Sequence, residues 1–113
     1  MVPMSSELEA QGYRRLGSAS EVAVGQLKTF ESEGENILVA NVDGQLFAIG
    51  AICKHEEWDL SEGTLEGRRV ICAGHGAKWD LERGRAEFHE PLDPEPVYDV
   101  RIANGSIYVR QRS

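Results

Sequence analysis

Both cysteines of this 113-residue chain and two of its three histidines fall in two short segments, Cys53-Lys54-His55 and Cys72-Ala73-Gly74-His75. The 16 residues 56–71 separate them, so the pattern reads C-x-H, a spacer, then C-x-x-H. Each segment offers one thiolate and one imidazole, and both reach a single bound centre if the spacer folds back as a hairpin-like loop. Two cysteines that each stand beside a histidine, in a chain without a secretion signal, point to metal or redox use rather than to a Cys53–Cys72 disulfide.

Two Cys and two His suit one tetrahedral zinc, but zinc patterns usually pair Cys near Cys and His near His. Here each segment is mixed. That suits a binuclear centre with both thiolates on one iron and both imidazoles on the other, the ligand set of a Rieske 2Fe-2S centre. The segments C-K-H and C-A-G-H-G, with Leu60, Gly63 and the following W-D-L-x-x-G (Trp79, Asp80, Leu81, Gly84), resemble those of Rieske-type ferredoxins, over about residues 12–110. The resemblance implies a 2Fe-2S cluster held by Cys53, His55, Cys72 and His75. It implies a soluble one-electron shuttle, not a catalyst by itself, fed by a flavin-dependent NAD(P)H reductase and emptied by a terminal oxygenase of the ring-hydroxylating dioxygenase type. A small Rieske subunit of a nitrite or arsenite oxidoreductase is the alternative within electron transfer. A zinc-stabilised interaction domain is the alternative from another class.

Composition fits one small domain. At 113 residues and 41% hydrophobic, the chain can bury a modest core but not two. Its net charge of −7 argues against nucleic acid and anionic membrane, and for a partner with a basic docking surface. Residues 1–10 show neither a basic n-region nor an apolar h-region, and the longest apolar stretch, 46–53, is far below the ~18 residues of a membrane span. The expected location is the cytoplasm, with residues 1–10 a flexible N-terminus and 11–113 a single domain.

From Tyr13 onward the chain is punctuated like an all-β protein. A polar turn at 18–21 precedes expected strands at 26–31, 36–42, 45–49, 97–102 and 106–110. Asp43-Gly44 and Asn104-Gly105 each sit between apolar runs, a hairpin signal because both positions tolerate positive φ. Tyr98, Val100 and Ile102 alternate with Asp99 and Arg101, which predicts one buried and one wet face. The expected fold is all-β, an antiparallel β-sandwich or partly open barrel with a cluster-binding subdomain inserted at about 51–83.

Further expectations concern the site's surroundings. Gly74 and Gly76 flank His75 and permit a tight backbone path. Trp58 is read as loop or core packing, Trp79 as packing beneath the cluster, and His89 as a surface or turn residue. Two ferric ions, two sulfides, two thiolates and two neutral imidazoles sum to zero charge, so an electron enters more easily than at a four-thiolate site. Rieske centres accordingly span about −150 to +300 mV, above plant-type ferredoxins near −400 mV. Glu56, Glu57, Asp59 and Glu62 add negative charge near the first loop, and Ala77 and Trp79 offer no hydroxyl to a sulfur, so the expected potential is near the low end, roughly −150 mV.

Overall fold

The computed structural model describes residues 5–53, 58–74 and 76–112. After a short helix, α1 (Ser5–Ala10), come four strands, β1 (Arg14–Ser18), β2 (Leu27–Ser32), β3 (Glu35–Val42) and β4 (Gln45–Gly50). Next is a small group, β5 (Thr64–Glu66), β6 (Arg69–Ile71), β7 (Lys78–Asp80) and β8 (Ala86–Glu87), and then the closing hairpin, β9 (Val97–Ala103) and β10 (Ser106–Gln111). The long strands make one antiparallel sheet in the order β1-β10-β9-β4-β3-β2, and the short ones a second in the order β5-β6-β7-β8.

Three two-residue turns set the register of the large sheet. Glu33-Gly34, Asp43-Gly44 and Asn104-Gly105 all carry positive φ at both positions, the backbone that matches the twist of a tight hairpin. The two outer strands then curl toward each other. Arg14 of β1 pairs with Glu33 and Glu35 at the far edge, at 2.9 and 2.6 Å, and Gly17 has no side chain where the Phe30 ring of β2 lies. The result is a partly open barrel, as expected.

The apolar run 37–40 does not alternate, because β3 is covered on both sides. Ile37 and Val39 face the barrel interior with Phe30, Ala48, Tyr98, Ile107 and Val109. Leu38 and Ala40 face the second sheet and pack with Ile49, Leu60, Val70 and Trp79. A strand buried on both faces reads as a continuous hydrophobic run, and this one joins the barrel to the small sheet.

Three expectations change. Residues 5–10, read as part of a flexible tail, form α1, whose Leu8 is buried against Tyr13, Ala103 and Tyr108. A helix of six residues is too short for periodicity to reveal. Ile102 is 45% exposed although its cross-strand partner Ile107 is buried, and Ala103 on the opposite face is buried with Leu8, Tyr13 and Tyr108. The insert between β4 and β9 runs to residue 96, beyond the expected 83, since β8 pairs with β7 and Glu95 N–H donates to Gly84 O at 2.8 Å.

Tyr98 makes a pH-dependent contribution here. Burial, and then the bond its hydroxyl donates to Glu35 Oε2 at 2.9 Å, push its pKa up to about 12. The folded chain holds this proton more tightly than the unfolded one, so the contribution is complete below about pH 10 and is lost as pH rises through 12. Urea unfolding between pH 9 and 12 is expected to show a loss of up to about 2–3 kcal/mol, and Tyr98→Phe to flatten that slope.

Candidate metal centre

The two cysteines occupy equivalent places. Cys53 follows β4, Cys72 follows β6, and each opens a six-residue loop closed by its own backbone. Cys53 N–H donates to Trp58 O at 2.7 Å, and Cys72 N–H donates to Ala77 O at 2.9 Å. An Ile52–Asp59 bridge and a bond from Leu60 N–H to Ala51 O at 2.7 Å extend the first closure into a short ladder. In the second loop Gly76 N–H returns to Cys72 O at 3.1 Å, and Gly76 has a φ of 77°, which explains a glycine there.

Both cysteines are buried outside any disulfide, and both belong to one apolar cluster with Ala77, Trp79, Leu60 and Leu81. The Cys53–Cys72 disulfide that the sequence argued against is not formed. His55 and His75, together with Lys54, Glu56 and Glu57, lie outside the described residues, and among the described residues no group of three or more His, Cys, Asp or Glu side chains comes together. In sequence, His55 is two residues beyond Cys53 and His75 three beyond Cys72.

The surroundings suit a sulfur-rich group. Trp79 is fully buried in the cluster that holds both cysteines, and its indole N–H has no acceptor among the described residues. A buried donor left without a partner costs about 1–3 kcal/mol, and cluster sulfurs are acceptors of the kind it lacks. Two soft thiolates, two imidazoles in sequence reach and an unanswered donor in an apolar pocket fit a 2Fe-2S group.

The scaffold around the first loop was only partly foreseen. Asp59 caps the 3-10 turn Leu60–Glu62 by accepting from Ser61 N–H at 2.9 Å, and it also accepts from the Thr29 hydroxyl of β2 at 2.5 Å. Burial raises its carboxyl pKa, but these bonds outweigh it and the net shift is downward, so Asp59 is charged at neutral pH. Sequence reasoning counted this charge but missed Thr29, which lies 30 positions away and carries no local signal. Gly63 and Gly84 acquire physical reasons. A Cβ on Gly63 would stand 2.1 Å from Ile71 O, just before Cys72, and Gly84 has a φ of 69° with Glu95 O in the space a Cβ would take. His89 is exposed beside Phe88, their ring centroids 4.0 Å apart.

Residues 13–100 match the model of the Rieske [2Fe-2S] domain. The biphenyl 2,3-dioxygenase ferredoxin component of Rhodococcus jostii (strain RHA1) is 35% identical over 95 residues, covering 84% of this chain and 89% of the relative. The biphenyl dioxygenase ferredoxin subunit of Pseudomonas sp. (strain KKS102) is 34% identical over 93 residues, covering 81% and 85%. Among solved structures, the Sphingomonas yanoikuyae B1 ferredoxin superposes with a TM-score of 0.80 at 28% identity, over 88% of this chain and 98% of that one. The chain belongs to the Rieske [2Fe-2S] family. Within it, the chain is a ferredoxin-type electron-transfer protein with a Rieske-type 2Fe-2S cluster, similar over most of its length to components of dioxygenase systems. No helix among the described residues is long and apolar enough to cross a membrane.

Proposed function

We propose that the chain works in the cytoplasm as the shuttle of a multicomponent oxygenase, accepting single electrons from a flavin-dependent NAD(P)H reductase and delivering them to a terminal oxygenase. Cys53 and Cys72 hold one iron, and His55 and His75 the other. The bound cluster supplies a site that gains and loses one electron at a potential near the low end of the Rieske range, roughly −150 mV. The protein's own share is to bury the thiolates, exclude water from them and hold two ligand loops in register.

The observation that carries this reading is the pair of matched loops. Each starts at a buried cysteine outside any disulfide, each is closed by that cysteine's N–H, and both rest on one apolar cluster. A chain of the solved complex of reduced oxygenase and oxidised ferredoxin in carbazole 1,9a-dioxygenase superposes with a TM-score of 0.77 at 28% identity over 86% of this chain and 91% of that one. That likeness to a ferredoxin–oxygenase complex supports an oxygenase as the acceptor.

The direct test is stopped-flow mixing of the dithionite-reduced chain with an oxidised terminal oxygenase of the biphenyl type. Reoxidation of the chain is expected, with a second-order rate that falls as salt is raised, because a net charge of −7 steers it to a basic partner. Stable co-purification with the large subunit of a nitrite or arsenite oxidoreductase, and no transfer to oxygenases, would contradict the pathway.

A further inference from the structure

Trp58 belongs to none of the described core clusters and is 42% exposed, yet one edge of its indole is not free. A Cβ built on Gly74 would lie 2.7 Å from its Cδ1, 2.8 Å from its Nε1 and 3.3 Å from its Cγ. The pyrrole edge of Trp58 therefore sits on the α-carbon of Gly74, in the second ligand loop and next to His75 in sequence. Trp58 itself closes the first loop, since its carbonyl accepts the Cys53 N–H. On its other side Asp59 is tied to Thr29 and Ser61, so the ring is carried on a backbone fixed at both ends.

The structure assigns Trp58 as a positioning residue for the prosthetic group: its indole, seated on Gly74, latches the second ligand loop to the first. The assignment rests on the reading that these loops hold the cluster. The two loops leave different strands, β4 and β6, so their relative position is not fixed by a shared ladder. A rigid aromatic side chain on a glycine gives a close, dry contact with little entropy to lose. Gly74 is not among the glycines with positive φ, so its absent side chain answers a need for space and not for an unusual backbone. The two glycines flanking His75 thus have different reasons, contact with Trp58 at Gly74 and the left-handed turn at Gly76.

The test uses the full chain with its cluster, as Trp58→Ala, Trp58→Phe, Gly74→Ala and the double variant Trp58→Ala/Gly74→Ala. Iron per chain, the rate of bleaching of the visible bands in excess chelator and the reduction potential are measured for each. Losing the latch is expected to speed bleaching about tenfold, the effect of removing the partial burial of one aromatic ring. Trp58→Ala and Gly74→Ala are expected to shift the potential in the same direction, with Trp58→Phe restoring most of both properties. The double variant is expected to be no worse than the worse single variant, because both act through one contact. Bleaching and potential unchanged in Trp58→Ala, or effects that add in the double variant, overturn the assignment. Should Trp58→Ala fail to fold, Gly74→Ala and Trp58→Phe decide it on the same readouts. Absence of iron from the unaltered chain would instead defeat the reading of the site, a separate result.

Discussion

Cys72→Ser is expected to give a colourless chain that keeps its β-sheet circular dichroism, with iron falling from about two per chain to near zero. The side chain lies in the apolar cluster with Cys53 and Trp79, where a thiolate is tolerable only when bound to a cation. A serine hydroxyl is a harder, less acidic ligand, and it fits the same space without offering the same bond. The barrel survives because its interior, built from Ile37, Val39, Tyr98, Ile107 and Val109, is a separate cluster. Cys53→Ser is expected to behave alike, since that residue occupies the matching place in the first loop. The measurement is iron and sulfide assay beside far-ultraviolet circular dichroism. A variant that retains full iron would show that the thiolate is not a ligand.

Gly63→Ala is expected to destabilise the protein by about 3 kcal/mol or more. The added Cβ would stand 2.1 Å from Ile71 O, 3.0 Å from Ile71 C and 3.2 Å from Leu60 O, so it meets backbone on both sides and no side chain can swing away. Its φ of −85° is ordinary, so the whole cost comes from crowding. Relief requires β6 to move, and β6 ends at the residue before Cys72, so iron retention should fall along with stability. Gly67→Ala is the control. It has a φ of 59° but open space around it, and a cost of about 1–2 kcal/mol is expected, with iron retained. Urea unfolding of both variants separates crowding from backbone strain, and equal losses would contradict the close approach of Gly63 to Ile71.

The ligand pattern and the barrel strands were legible because both are written locally. Cys53, His55, Cys72 and His75 announce themselves by residue type and spacing, and Asp43-Gly44 and Asn104-Gly105 by turn chemistry. The strands of the small sheet were not legible one by one. Three residues, or two in β8, are too few to show an alternation, and their pairing is set by neighbours rather than by pattern. Contacts across long separations were equally hidden. Thr29 with Asp59, Trp58 with Gly74, and Gly63 with Ile71 are each plain in space and mute in sequence. Ile102 shows the converse failure, a residue with good alternation that is left exposed near the end of its strand. Gly63 and Gly84 lie between, since resemblance drew attention to them and only the structure shows what their missing side chains make room for.

The central claim is that the two matched loops together hold a 2Fe-2S cluster through two thiolates and two imidazoles. The most direct measurement is the visible and EPR spectrum of the purified chain, as isolated and after dithionite, with iron, sulfide and zinc assayed on the same sample. The account predicts a red-brown protein with about two irons and two sulfides per chain, whose reduced form gives a rhombic signal of low average g. A colourless protein carrying one zinc and no sulfide would contradict it.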